Sequence, residues 1–203
     1  EMKVLAKSKP EPGLWMETRP VPEIGPDDVL IRINKTGICG TDIHIWNWDD
    51  WAARTVPLGL VTGHEFAGVI SEVGADVKNW RVGNRVTVPF VCGCGDCIDC
   101  KAGNAQVCLY QWQPGFNGLG SFAEYVRIPY ADFNVVALPD SMSFETAAAL
   151  GCRFATSYRA VVHVGKVQAS ETVAIFGCGG VGLAAIMIAK SRGATVVGID
   201  TSN

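Results

Sequence analysis

The chain has 203 residues, 48% hydrophobic and 18% charged, an ordinary globular balance with ample material for a core. A net charge of −3 and a pI near 5.6 argue against a dedicated nucleic-acid or anionic-membrane surface, and no apolar run is long enough to span a bilayer. With no secretory leader in view the expected compartment is the cytosol, where clustering among the eight cysteines reads as metal binding rather than as a disulfide framework.

Up to about residue 150 the sequence predicts short β segments broken by glycine and proline: VLIRINKTG at 29–37, FAGVISEVG at 66–74, RVTVPF at 85–90, SFAEYVRIP at 121–129 and NVVALP at 134–139. Such a series predicts a partly closed β-barrel. TGICGTDIH, at 36–44, is too short to predict a helix of its own. After Ser143, a plausible N-cap, the alanine-rich stretch 144–164 is helical in period. TVAIFG at 172–177 then reads as a buried-type strand, 179–193 as a helix stopped by Gly193, and ATVVGID at 194–200 as a second strand. That order, β-α-β, opens a doubly wound parallel sheet. One such unit leaves parallel strands without the neighbours that bury them, so the chain is expected to be truncated.

Three motifs carry chemistry. In CGDCIDCKAGNAQVC, at 94–108, Cys94, Cys97 and Cys100 are each separated by two residues and Cys108 follows after seven more. Four thiolates on tight turns match a closed tetrahedral zinc site, which adds folding energy and leaves no position for substrate. Cys92 sits out of step and reads as a spare. The second set is dispersed: Cys39, His64 with Glu65 in GHEFAG, and Cys152 in GCRFATSY. Two thiolates, an imidazole and an exchangeable water make an open catalytic zinc site, yet each residue alone reads more readily as a core thiol or a hydrogen-bonded histidine, and spacing alone does not bring them together. The third is GCGGVG, at 177–182, whose Gly177, Gly179, Gly180, Val181 and Gly182 lie between a predicted strand and a predicted helix. Glycines there give the tight turn, close backbone approach to a pyrophosphate and close helix packing, with the phosphate charge at the helix N-terminus. Asp200, ending the next strand, is placed to accept from the adenosine ribose hydroxyls and to repel a 2′-phosphate, which favours NAD over NADP.

With these residues in view the chain resembles the zinc-dependent medium-chain dehydrogenases, the alcohol dehydrogenase superfamily, along essentially its whole length. GHEFAGVISEVGADV, at 63–77, matches the zinc signature of that family, and the four-cysteine lobe and the glycine turn follow in its order. ICGTDIHIWNWDDWA, at 38–52, is similar to L-threonine 3-dehydrogenases, whereas the sequence from about Gly63 onward is more like bacterial zinc alcohol dehydrogenases. Threonine dehydrogenases usually carry an acidic residue where this chain has Cys152.

The resemblance implies a mixed fold: a GroES-like β-barrel catalytic domain over 1–150 with both zinc sites, then the start of an NAD-binding Rossmann domain over 151–203. It implies two zinc ions per chain, one on Cys39, His64 and Cys152 and one on Cys94, Cys97, Cys100 and Cys108. Glu65 would be a transient ligand helping water and substrate exchange, and Asp42 would orient His64 through its other ring nitrogen. Thr41 would take the hydroxyl proton of the alcohol and pass it, through the nicotinamide ribose, to His44 and solvent. Trp46 and Phe90 are candidates for the substrate pocket wall, with core packing an equal reading. The implied activity is hydride transfer from an alcohol to NAD. L-threonine 3-dehydrogenase and a non-catalytic zinc-binding fragment are the alternatives. A small-molecule alcohol is the expected partner, without nucleic acid or membrane, in a dimer or tetramer of the full-length enzyme.

Overall fold

In the computed structural model, which describes residues 1–201, two strands precede those that the sequence predicts. They are β1, Met2–Lys7, and β2, Trp15–Arg19, paired antiparallel from Met2↔Arg19 to Ala6↔Trp15. The strand expected at 29–37 is β3, Val29–Thr36, with its first three residues buried. Contrary to expectation, the stretch after it forms a helix, α1, Gly40–Asn47. Local bonds at both ends explain why so short a helix stands. The Asp42 carboxylate accepts the Cys39 N–H at 2.8 Å, and Trp48, left-handed at φ 52°, returns its own N–H to the Ile45 carbonyl. Asp49 then caps α2, Asp50–Thr55, by accepting the Trp51 and Ala52 N–H groups.

β4, Leu60–Val61, pairs with the other edge of β1. β5, Phe66–Val73, and β6, Arg85–Thr87, fall within the predicted segments, and a short helix, α3, Ile98–Lys101, lies inside the cysteine-rich stretch. β7, Tyr125–Ile128, is the second half of its predicted segment. NVVALP departs from expectation: Asn134 ends a helical turn, α4, Ala131–Asn134, and only Val136–Ala137 pairs, as β8. α5, Phe144–Ala148, begins as expected, with the Ser143 hydroxyl accepting the Thr146 N–H at 3.2 Å.

Two antiparallel sheets result, β7-β3-β5-β6-β8 and β2-β1-β4. The stretch at 122–124 ties them together. The Leu5 N–H reaches the Phe122 carbonyl at 2.7 Å, the Glu124 N–H reaches the Lys3 carbonyl at 3.2 Å, and the Glu124 carbonyl takes the Ile33 N–H at 2.9 Å. Two register shifts between β3 and β5 bend that pair, as bulges do in curling sheets. The barrel interior is filled by Val29, Ile31, Phe66, Ile70, Val86, Val126 and Ile128, all at most 1% exposed. Burial of such a side chain contributes about 1.5–3 kcal/mol.

The chain divides into two units, Glu1–Gly151 and one starting at Cys152. In the second, the predicted helix runs to Val164 as α6, Ala155–Tyr158, with wider π-type turns on either side. β9, Thr172–Phe176, α7, Gly180–Ser191, and β10, Thr195–Ile199, form the β-α-β unit, its strands parallel from Thr172↔Thr195 to Phe176↔Ile199. Ala185, Ile188 and Ala189 of α7 are buried with Val161 and Val167. No helix among the described residues is long and apolar enough to cross a membrane.

Candidate functional site

The four-cysteine motif closes on itself. The sulfurs of Cys94, Cys97, Cys100 and Cys108 all lie within 4.8 Å of one another, and Cys97 Sγ stands 3.8 Å from Cys108 Sγ. A tetrahedral zinc with bonds of about 2.3 Å has sulfur–sulfur edges of about 3.8 Å, so the donor set fits that ion. Backbone N–H groups already point at the sulfurs: Cys94 and Tyr110 donate to Cys108 Sγ at 3.4 and 3.3 Å, and Cys97 to Cys94 Sγ at 3.4 Å. Hydrogen bonds from the Asp96 and Cys97 backbone pull the Cys94 thiol down to about 7, whereas burial pushes Cys100 up to about 12. Bound zinc displaces such protons, which makes binding pH-dependent. Cys92 stays outside the cluster: it is buried, its thiol pushed up to about 12 by burial, and its backbone pairs with Trp112 at the base of the lobe.

Asn134 fastens the lobe to the barrel. Its amide takes the Gly93 N–H at 2.8 Å and donates to the Gly93 and Pro129 carbonyls at 2.9 and 3.1 Å. A lone asparagine at a strand-like segment gave no signal of this role in the sequence.

Cys39 and His64, 25 positions apart in sequence, are brought together, with the thiol and a ring nitrogen within 4.8 Å. Cys39 is the N-cap of α1, and His64 follows Gly63 at the entry to β5. His64, Glu65 and Asp42 are all buried. Burial alone would lower the His64 pKa; the hydrogen bond with Cys39 and the charges of Asp42, Cys39 and Glu65 outweigh it and raise it. Burial raises the Asp42 carboxyl despite the opposing pull of His64. Asp42 Oδ1 faces His64 Nδ1 at 3.6 Å, beyond hydrogen-bond reach, and neither atom has another hydrogen-bond partner. Thr41, in the first turn of α1, has its hydroxyl 4.0 Å from Cys39 Sγ. His44, one turn on, is exposed and bonds through Nδ1 to Asp49 Oδ2 at 2.5 Å. Cys152 is the residue after Gly151, whose carbonyl takes the Phe90 N–H at 2.8 Å.

The two pocket-wall candidates lie in different places. Phe90 packs its ring edge on His64 at 5.3 Å, with Phe116 at 5.1 Å from His64 completing an aromatic cage that the sequence did not signal. Trp46 is half exposed and lines an apolar cavity of about 310 Å³ with Leu5, Leu14, Ile38, Ile43 and Phe122.

The glycine turn is open where a ligand would lie and tight where the helix packs. Gly177 is at φ +90°, and its N–H binds the Ile199 carbonyl at 2.8 Å. A Cβ on Gly182 would stand 1.8 Å from the Gly177 carbonyl oxygen, whereas one on Gly179 would meet nothing within 4 Å. Gly179 is the N-cap of α7, and Gly180, Val181 and Gly182 form its first turn, so their N–H groups are among the unpaired donors of that helix end. Asp200 accepts the Cys178 N–H at 2.5 Å, which ties the end of β10 to the turn. These features fit a dinucleotide pyrophosphate.

Residues 25–140 match the alcohol dehydrogenase GroES-like domain. L-threonine 3-dehydrogenases of Rhizobium etli and Sinorhizobium fredii are each 46% identical to the chain over 202 residues, which is all of this chain and 57% of theirs. The chain thus spans little more than half the length of these curated relatives. The structure superposes on the alcohol dehydrogenase TADH from Thermus sp. ATN1 with a TM-score of 0.90 at 30% identity, covering 98% of this chain and 58% of that one. It superposes on galactitol-1-phosphate dehydrogenase from Escherichia coli with a TM-score of 0.88 at 29% identity, covering 100% and 56%.

Proposed function

The chain belongs to the zinc-dependent medium-chain alcohol dehydrogenase family, and from that premise we propose that it carries out the NAD-dependent oxidation of a small alcohol to an aldehyde or ketone. The observation that carries this reading is the pairing of half-buried Cys39 with buried His64, with the Thr41 hydroxyl beside the thiol.

Cys39, His64 and Cys152 hold the catalytic zinc, and Cys94, Cys97, Cys100 and Cys108 hold the structural one. The support for Cys152 is its donor chemistry and its attachment to Gly151, which is bonded to the Phe90 backbone beside His64. When bound, zinc polarises the substrate oxygen and NAD takes the hydride. Thr41 accepts the proton of the substrate hydroxyl, and His44, exposed on the same helix, is the exit to solvent. Glu65 aids exchange at the metal, and Asp42 steadies His64. Gly177, Gly179, Gly180, Val181 and Gly182 seat the pyrophosphate, and the Asp200 charge disfavours a 2′-phosphate. Phe90, against His64, and Trp46, whose cavity is also lined by Asp42, bound the substrate from two sides. The reading carries with it a cytosolic location and a dimer or tetramer of the longer enzyme.

L-threonine is the second candidate substrate, favoured by the 46% identity to L-threonine 3-dehydrogenases. Cys152, where those enzymes usually have an acidic residue, favours a simple alcohol. NADH formation with simple alcohols and with L-threonine, run side by side, separates the two, and turnover of threonine alone would overturn the simple-alcohol reading. A zinc-loaded chain that neither binds NAD nor forms NADH with either substrate would be a zinc-binding fragment.

A further inference from the structure

We propose that Asp49 is a positioning residue for proton release: its carboxylate fixes the tautomer of His44, so that Nε2 is the nitrogen that receives the proton. The proposal rests on the reading of His44 as the proton exit. Three contacts converge on this corner between α1 and α2. Asp49 Oδ2 meets His44 Nδ1 at 2.5 Å. Asp49 Oδ1 accepts the Trp51 and Ala52 N–H groups at 3.1 and 2.9 Å, so the carboxylate is held by the start of α2. The Trp51 ring presents its edge to the imidazole, with centroids 6.3 Å apart and planes at 72°.

The chemistry follows from what a carboxylate can do. It accepts hydrogen bonds and donates none, so the Nδ1 facing it carries the hydrogen and the neutral ring keeps its lone pair on Nε2. A proton arriving at Nε2 makes an imidazolium paired with Asp49. Loss of that Nε2 proton to water restores the starting tautomer, and Asp49 stays ionised throughout. The Ala52 N–H and the His44 bond hold the Asp49 carboxyl below the usual carboxylate range, which suits a group that must remain an acceptor. His44 and Asp49 have side chains 62% and 37% exposed. An exposed ion pair of this kind contributes little to stability, so a kinetic effect is separable from a folding effect.

The test is Asp49→Asn in the full zinc-loaded chain. Asparagine keeps its one oxygen for the cap of α2 and turns its NH2 toward Nδ1, which moves the ring hydrogen to Nε2 and blocks the acceptor. Nitrogen NMR shifts of His44 should report hydrogen on Nδ1 in the parent and on Nε2 in the variant, with the unfolding midpoint unchanged. kcat should fall about tenfold with KM little altered, part of the ~10²–10⁴ that an acid–base group contributes. Asp49→Ser also keeps the cap but is too short to reach His44; it should give mixed tautomers and an intermediate kcat. An unchanged tautomer in Asp49→Asn would overturn the proposal. So would an inverted tautomer with unchanged kcat while His44→Gln is impaired. Unchanged kcat in His44→Gln itself would instead overturn the relay reading, and the proposal with it.

Discussion

Lys7 is fully buried, and its ammonium ends among backbone carbonyls. Nζ donates to the carbonyls of Glu11, Gly13 and Trp46 at 2.6, 3.0 and 3.2 Å, which uses its three hydrogens. It also lies 4.9 Å from the Trp48 ring centroid and 5.5 Å from that of Trp15. Trp46 is in the last turn of α1, where the helix dipole favours a cation, so Lys7 anchors the end of the helix that carries Thr41, Asp42 and His44. Lys7→Met should fill much of the space yet leave the Glu11 and Gly13 carbonyls without their donor, the Trp46 carbonyl keeping the Gly13 N–H at 2.8 Å, at a loss of about 2–3 kcal/mol in urea unfolding. Lys9→Met is the control: the Lys9–Glu11 pair is 3.8 Å long with both side chains 58% exposed, and its loss should stay within about 0.5 kcal/mol. Equal losses in the two variants would remove the cage as the cause. Nothing in MKVLAKSK separates these lysines, because the carbonyls that select Lys7 come from a turn and from a helix about 40 positions away in sequence.

At the scale of elements, legibility tracked how local the determinants are. β3, β5, β9, α7 and β10 carry their apolar patterns within themselves and fall close to their predicted spans. α1 does not, because its ends are closed by a side chain folding back and by a left-handed Trp48, a conformation that tryptophan does not advertise. The start of NVVALP became α4 for a similar reason: Asn134 is drawn to Gly93 in another segment. The glycine turn was legible because each glycine answers a local demand, and those demands differ. Gly182→Ala puts a methyl group 1.8 Å from the Gly177 carbonyl, so it should destabilise the β-α-β unit by several kcal/mol. Gly179→Ala meets nothing within 4 Å and has an ordinary backbone conformation, so thermal unfolding should be unchanged while NAD affinity falls at least tenfold. Calorimetry of unfolding and of NAD binding on both variants checks this. A Gly179→Ala chain that binds NAD as before would take the pyrophosphate away from that face of the turn.

For the whole molecule, a cluster of cysteines close in sequence was readable as a group, and a dispersed set was not. Cys94, Cys97, Cys100 and Cys108 announce a site through spacing alone, whereas Cys39 and His64 are related only by the fold that sets the N-cap of α1 beside the entry to β5. The two sites also differ in how firmly they should hold an ion. The four-cysteine site has two buried ligands and backbone N–H groups aimed at its sulfurs, and a closed tetrahedron has no position to exchange. A site that must admit substrate keeps one open, and the chelator can enter there. On the proposed assignment of two zinc ions and an NAD-linked activity, brief chelation should therefore remove one ion per chain and abolish NADH formation, while thermal unfolding moves little. Longer chelation should remove the second and cost several kcal/mol, because that ion closes the lobe that Asn134 fastens to the barrel. Zinc content, activity and unfolding midpoint followed on the same samples decide the order. If stability collapses with the first ion while activity survives, the structural and catalytic roles of the two sites are the reverse of those assigned.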